Sequence, residues 1–115
     1  MKQHSFGKHE RIRKRKDFLS AYHHGARVES KNFITVLNRN QLGTTRLGIT
    51  VTKKVGNSVQ RNRVKRLLRE FFRLNKHSLP DSYDIVIIVK QKVPYLKYRD
   101  VYAQLEALFT GTRDT

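Results

Sequence analysis

The chain contains no cysteine, no tryptophan and only two prolines among its 115 residues. Without cysteine it can form no disulfide bond, no thiolate nucleophile and no zinc site with sulfur ligands. No apolar run approaches the roughly 20 residues that a membrane-spanning helix needs. Residues 1–16 also lack the apolar centre of a secretory signal peptide, so we expect a cytoplasmic protein.

Acidic residues are scarce as well. The chain has 9 Asp and Glu residues against 25 Lys and Arg residues, and its formal net charge is +16. Such a charge makes a small chain repel itself and favours a polyanionic partner. A membrane surface would require a basic segment with an apolar face that the core does not use, and the sequence offers none. Nucleic acid is therefore the expected partner, with no membrane.

The few carboxylates are scattered along the chain and form no D-x-D, H-x-E or E-x-x-H pattern. A protein nuclease needs a general base, or carboxylates that hold a metal ion together. The sequence therefore predicts no catalytic residue and no metal site.

The segment 58–73 shows the clearest periodicity. Its apolar residues recur at helical spacing and are Val64, Leu67, Leu68, Phe71 and Phe72. At about 100° per residue, the opposite face carries Asn62, Arg66, Arg69 and Arg73. Arg63 and Lys65 lie at its two flanks, Arg61 lies at its border with the apolar face, and Glu70 is the one acid. A solvated face is one interpretation, but such faces usually mix charge signs, so a nucleic-acid-binding helix is favoured.

The residues before this helix, 53–58, read KKVGNS. Gly56 allows a tight turn, and Asn57 or Ser58 can cap the helix N-terminus. Two lysines placed before a helix N-terminus are typical of a phosphate-binding site. The pattern is not a Walker loop, because GxxxxGK[ST] is absent.

The remaining segments predict one α+β domain over residues 1–115. Residues 1–13 are predicted to form a mobile basic arm. A helix at 16–24 should end at Gly25 in the C′ position. Strands are predicted at 31–39, 46–53 and 84–90, with a possible short strand at 26–30 and a closing helix at 99–110. The order is helix, two or three strands, helix, strand, helix.

Two aromatic residues, Phe18 and Tyr22, lie one turn apart on the first helix, next to a basic run. They could stack on unpaired bases or pack in the core. One face of the strand at 46–53 is small and polar, and it includes Thr50 and Thr52. It could form the floor of a groove or a solvated surface.

The run from Gly48 to Glu70 strongly resembles the signature of the bacterial ribonuclease P protein subunit. That family has a strand ending in two lysines (Lys53 and Lys54), a glycine turn, and the Arg-Asn-Arg motif found here at 61–63. The resemblance extends to Asp17-Phe18, Arg46-Leu47-Gly48 and the apolar strand after Asp84, and so covers nearly the whole chain.

The resemblance implies an αβββαβα order, a central sheet with packed helices and a left-handed βαβ crossover. It implies removal of the 5′ leader from precursor tRNA, with Mg²⁺-dependent catalysis by an RNA subunit and no cofactor bound by the protein alone. RNA binding would fall on Lys53, Lys54, Arg61, Asn62, Arg63, Lys65, Arg66, Arg69 and Arg73. A cleft for the leader would comprise Phe18, Tyr22, Val36, Thr50 and Thr52.

Two alternatives from other classes stay open at this point. A generic RNA-binding or ribosomal-type module would bind RNA broadly and leave precursor cleavage unchanged. A protein-only nuclease would cleave without RNA and would depend on an acid such as Asp84, whose ordinary role would be to open a strand.

Overall fold

The computed structural model describes residues 7–111, without the side chains of residues 110 and 111. The elements are α1 (Arg15–His24), β1 (Ala26–Glu29), β2 (Phe33–Arg39), β3 (Arg46–Thr50), α2 (Ser58–Leu74), β4 (Tyr83–Val89), α3 (Tyr98–Leu105) and α4 (Ala107–Gly111). Short 3₁₀ turns occur at Lys8–Glu10, Lys53–Val55 and Lys76–Ser78. The predicted α+β class and order of elements are confirmed.

The four strands form one mixed sheet in the order β1-β2-β4-β3. Strand β2 is antiparallel to both β1 and β4, whereas β3 runs parallel to β4. Helix α2 connects these two parallel strands, so the unit is a βαβ crossover. Its left-handed sense stays a prediction.

The sheet buries apolar residues on both faces. On one face, Ile85 and Ile87 of β4 pack with Phe33, under α2 and α3. On the other face, Val36 and Val86 pack under α1. The unbroken apolar run of β4 follows from this arrangement, because alternate residues of the strand serve the two cores.

Helix α2 begins at a complete capping box. The side chain of Asn57 accepts a 2.9 Å hydrogen bond from the backbone N–H of Gln60, and the Gln60 side chain accepts one of 2.8 Å from the N–H of Asn57. The predicted apolar face is confirmed, since its members are buried apart from a half-buried Leu67; the buried ones are Val64, Leu68, Phe71 and Phe72. The basic face of α2 therefore points outward.

The prediction of a mobile arm through residue 13 is wrong for residues 7–13. Arg11 forms a parallel bridge with Leu47, and the N–H of Ile12 donates to the Leu47 carbonyl oxygen at 3.0 Å. The Ile12 side chain is buried with the core under α1, because it is the one apolar residue in this basic run. The N-terminal segment thus extends the sheet beyond β3. Residues 1–6 of the predicted arm lie outside the described residues.

Gly25 ends α1 as predicted, but for a different reason. Its φ of −80° and ψ of 156° are extended, not left-handed. A Cβ atom at this position would lie 2.5 Å from Cγ1 of Val36 and 2.7 Å from the carbonyl oxygen of Ala21. The helix and the sheet therefore approach each other too closely for any other residue.

The closing helix predicted at 99–110 is interrupted after Leu105. The N–H of Phe109 donates to the carbonyl oxygen of Glu106 at 3.0 Å, three residues back instead of four. This tightening of the backbone separates α3 from α4.

Candidate nucleic-acid interface

The outward face of α2 forms one wall of a basic groove, here called the α2 groove. The groove has a volume of about 440 Å³ and is lined by Arg11, Asn62, Arg66, Arg69, Glu70 and Arg73. Asn62, Arg66 and Arg69 are exposed. Arg73 is half-buried and pairs with Glu70, its Nη2 lying 2.8 Å from Oε1. The predicted face is thus brought together, and Arg11 joins it from the N-terminal segment.

The other predicted cations of this region lie around the start of α2. Lys53 and Lys54 are exposed on the 3₁₀ turn directly before the helix, where its N-terminus carries a partial positive charge. Arg61 and Lys65 are half-buried on one flank of the basic face. These four residues widen the positive surface at the N-terminal half of the helix.

Arg63 lies on the opposite flank of the basic face from Lys65, and its role in RNA binding stays a prediction. Its Nη2 donates a 2.6 Å hydrogen bond to the carbonyl oxygen of Leu96, and its guanidinium carbon lies 4.1 Å from the centre of the Tyr95 ring. Position 63 is about 100° around the helix from Asn62, so the side chain points toward the loop before α3. Arg63 therefore holds that loop and does not belong to the α2 groove.

A second groove, here called the α1 groove, opens between α1 and the end of β3. It has a volume of about 590 Å³ and is lined by Arg13, Arg15, Phe18, Leu19, Tyr22, Ile49, Thr50 and Val51. The Phe18 and Tyr22 rings are tilted by 46°, with centroids 6.4 Å apart. The Tyr22 hydroxyl and Oγ1 of Thr50 are hydrogen-bonded at 2.9 Å. Of the small polar face of β3, Thr50 thus lines a groove, whereas Gly48 lies beneath Phe18 and Thr52 lies outside the lining. The groove interpretation therefore holds for only part of that face.

Phe18 and Tyr22 pack in the core and also line the α1 groove, while their stacking on bases stays a prediction. Both are half-buried and pack against the core under α1. The Phe18 ring covers Gly48 so closely that a Cβ atom there would lie 2.7 Å from Cε1. Each ring therefore contributes to the core and also lines the α1 groove.

Two residues predicted for the leader cleft do not line the α1 groove. Val36 has no exposed surface, because β2 is an interior strand that α1 covers. Thr52 is exposed, but it follows β3 and lies beyond the lining. Val36 was predicted as a cleft residue, and the structure instead buries its side chain beneath α1.

Five residues that line the α1 groove were not predicted as site residues, and they are Arg13, Arg15, Leu19, Ile49 and Val51. The signal for the arginines was present in the sequence. Arg11 and Arg13 flank the buried Ile12, as alternate residues of an extended segment do. Alternation alone would place Arg11 and Arg13 on the same side of the segment. In the structure Arg11 lines the α2 groove and Arg13 lines the α1 groove, so the segment lies between the two grooves.

The comparisons with known proteins agree on one family. A family model described as Ribonuclease P matches residues 6–113. The chain belongs to the ribonuclease P protein family. The ribonuclease P protein component of Syntrophus aciditrophicus (strain SB) is 53% identical over 110 residues, which cover 96% of this chain and 92% of the relative. That of Desulforapulum autotrophicum is 43% identical over 109 residues, covering 95% and 93%.

Solved structures of the ribonuclease P protein family share the fold. The protein from Thermotoga maritima has a TM-score of 0.80 at 34% identity, and the match covers 89% of this chain and 96% of that one. The Staphylococcus aureus protein also has a TM-score of 0.80, at 32% identity, covering 90% and 95%. The similarity therefore spans the whole domain.

The carboxylate considered for a protein-only nuclease is fully engaged in this member of the ribonuclease P protein family. Asp84 is 4% exposed and accepts hydrogen bonds from Arg46 and from Nδ2 of Asn40, at 2.7 to 2.8 Å. The Asp84 hydrogen bond raises the pKa of the Arg46 guanidinium, while partial burial opposes the shift. Asp84 is thus a structural ion-pair partner.

Within the described part of the chain, the structure has neither a cluster of metal ligands nor a membrane-spanning helix. Among residues 7–111, no three His, Asp or Glu side chains come close enough together to hold a metal ion. In the same part of the chain, no helix has the length and apolar character needed to span a bilayer.

Proposed function

We propose that this chain is the protein subunit of ribonuclease P, which binds the catalytic RNA with the α2 groove and the 5′ leader of precursor tRNA with the α1 groove. The observation that carries the proposal is the position of the N-terminal segment. Arg11 lines one groove, while Arg13 and Arg15 line the other. Two RNA strands could therefore lie side by side across one edge of the sheet.

The α2 groove suits a folded RNA backbone. Arg66 and Arg69 are exposed and their guanidinium groups can each contact a phosphate through two hydrogen bonds. If the whole surface neutralises about six phosphates, affinity for the RNA should fall roughly a thousandfold between 50 and 200 mM salt, by analogy with duplex binding.

The α1 groove suits a single strand. Its aromatic residues, Phe18 and Tyr22, can stack on unpaired bases. Arg13 and Arg15 can contact the phosphates that link those bases. Duplex RNA could not present its base faces to such a wall. Only the precursor has a leader, so this groove would distinguish the substrate from mature tRNA.

Catalysis would belong to the RNA subunit and the Mg²⁺ that it binds. The described residues offer no cluster of ligands for the ion, and Asp84 is occupied by Arg46. The protein would instead reduce repulsion between the phosphates of the two RNAs and hold the leader in register. The holoenzyme should then work at a lower Mg²⁺ concentration than the RNA alone. We also propose a cytoplasmic location, because bacterial precursor tRNA is transcribed there.

The proposal can be tested by measuring how the holoenzyme and the RNA alone bind tRNAs with leaders of zero to ten nucleotides. We expect affinity to rise with leader length only when the protein is present. If the protein increases the affinity for mature tRNA as much as the affinity for precursor tRNA, the leader site is contradicted. A protein that binds the RNA but leaves both binding and cleavage of precursor unchanged would be the generic RNA-binding module.

A further inference from the structure

The loop between β4 and α3 carries an aromatic side chain that the core does not use. Tyr95 is 74% exposed, and its ring lies over the guanidinium of Arg63, 4.1 Å from its carbon. A ring this exposed buries little apolar surface, so its contribution to folding is small. Its presence at the surface calls for another explanation than packing.

Arg63 holds the Tyr95 ring in a defined orientation by contacting one of its faces. Arg63 is anchored by the 2.6 Å hydrogen bond from its Nη2 to the carbonyl oxygen of Leu96, the neighbour of Tyr95. Its Nε–H is buried and has no hydrogen-bond partner among the described residues. The Nε side of the guanidinium is thus enclosed by the protein, and the group supports the Tyr95 ring on one face.

The chain on both sides of the ring is basic, and the nearest acid in sequence, Asp100, accepts a 2.9 Å hydrogen bond from the backbone N–H of Lys97. Residues 90–99 contain no Asp or Glu. Exposed cations flank the ring on both sides along the chain, and they are Lys92, Lys97 and Arg99. An exposed aromatic ring among cations matches the requirements of an unpaired nucleotide, whose base stacks while its phosphates are neutralised. A protein partner would need complementary acidic groups as well as a larger apolar contact.

We propose that Tyr95 is a stacking platform for one unpaired nucleotide of RNA, supported by Arg63 and flanked by Lys92 and Lys97. This site would extend the RNA-binding surface from the basic face of α2 toward the β4–α3 loop, about 100° around the helix from Asn62. The inference rests on the proposed function, since it assumes that the chain binds RNA. The nucleotide could belong to the catalytic RNA or to the precursor tRNA.

The absence of tryptophan from the chain allows a direct optical test. The variant Tyr95→Trp would carry the only indole, whose fluorescence is quenched when a base stacks on it. We expect quenching when either a single-stranded RNA oligonucleotide or a bacterial ribonuclease P RNA is added. Heparin and an abasic oligonucleotide of equal charge should bind without quenching.

A matched control comes from the variant Leu42→Trp, which places a tryptophan at another exposed apolar position, 58% exposed, far along the chain. Its fluorescence should respond weakly to both RNAs. Quenching of Trp at position 95 by heparin or by the abasic strand to the same extent as by RNA would overturn the proposal.

Affinity measurements then identify the source of the nucleotide. Tyr95→Leu should weaken binding of the RNA that supplies the base by roughly five- to a hundredfold, whereas Tyr95→Phe should bind like the wild type. A loss toward ribonuclease P RNA assigns the base to that RNA. A loss only in holoenzyme binding to precursor tRNA assigns it to the precursor.

The wild-type chain is measured in parallel, so that failure of the stacking platform can be told apart from failure of the proposed function. If it fails to bind ribonuclease P RNA, the proposed function fails. If it binds well and Tyr95→Leu binds equally well to both RNAs, with an unchanged thermal melt, only the stacking platform is refuted.

Discussion

The guanidinium of Arg46 on β3 holds the carboxylate of Asp84 on β4 through two hydrogen bonds, 2.8 Å from Nε and 2.7 Å from Nη2. The two residues are register partners in the parallel part of the sheet. The same guanidinium lies 3.5 Å from Oδ2 of Asp17 on α1. One arginine thereby connects β3, β4 and the helix that forms the wall of the α1 groove.

Breaking this ion pair should destabilise the protein. Because Asp84 is 4% exposed, Arg46→Ala would leave a buried, uncompensated carboxylate, at a cost of about 3–5 kcal/mol in the free energy of unfolding. Urea denaturation measures the loss. The control is Glu29→Ala, which removes an exposed partner of Lys90 and should leave the urea midpoint close to that of the wild type. Equal midpoints for both variants would refute the structural role of Arg46.

Leu68 tests the orientation of α2. Its side chain has no exposed surface and lies at the centre of the larger core, so Leu68→Ala should cost about 2–5 kcal/mol. Leu74, on the same helix and 41% exposed, provides the matched control, and Leu74→Ala should cost much less. If the two variants melt at the same temperature, the assignment of the faces of α2 is wrong.

Arg66 and Arg69 test the α2 groove. Each alanine variant should weaken binding of ribonuclease P RNA and lower the slope of log affinity against log salt concentration by about 1, because one phosphate contact is lost. Arg27→Ala removes an exposed cation from β1, at the opposite edge of the sheet, and should leave the slope unchanged. A slope that falls equally in all three variants would mean that binding depends only on net charge.

Phe18 tests the α1 groove. Phe18→Leu keeps an apolar side chain over Gly48 but removes the stacking surface, so the holoenzyme should bind precursor roughly 5- to 100-fold more weakly and mature tRNA unchanged. Val36→Ala is the control for core damage, because Val36 is buried below α1. It should lower the melting temperature and leave the preference for precursor intact. Equal losses for precursor and mature tRNA in Phe18→Leu would indicate damage to the core instead.

Glu10 links stability to pH. Burial alone raises its pKa, but the hydrogen bonds from Lys76 and from the N–H of Gly7, with the charge of Lys76, lower the pKa below its ordinary value of 4.5. The folded state therefore binds the proton less tightly than the unfolded state. The stabilisation is complete above about pH 4.5 and is lost as the pH falls through the folded-state pKa.

Glu10→Gln should consequently be less stable than the wild type near neutral pH, and the difference should shrink as the solution is acidified. Urea titrations at several pH values between 3 and 7 give both curves, with ~0.5-unit steps sufficient to locate the change. A constant difference over that range would show that Glu10 has the same pKa in the folded and unfolded states.

Much of the fold could be predicted because local and global signals agree. The helical period of α2 and the unbroken apolar run of β4 each correspond to one buried arrangement. Asn57, one of the two predicted capping residues, caps α2, and Arg66 and Arg69 lie on the exposed face of this helix as predicted. These features depend on spacing along a single element, which the sequence shows directly.

The errors concern relationships between elements. Val36 alternates along β2 as a strand residue should, but the exposure of its side chain depends on α1, which packs over it. Arg63 belongs to the basic motif, yet the loop at Leu96 determines where it points. The docking of Ile12 depends on the free edge of β3. Each case requires knowledge of a neighbour that is distant in sequence.

The most direct test of the central claim is cleavage of a 5′-extended precursor tRNA at low Mg²⁺ concentration. Three reactions are compared: the protein alone, a bacterial ribonuclease P RNA alone, and the two together. We predict efficient removal of the leader only when both are present, with no cleavage by the protein alone. Cleavage by the protein alone would contradict the account, as would an RNA whose activity at low Mg²⁺ does not change when saturating protein is bound.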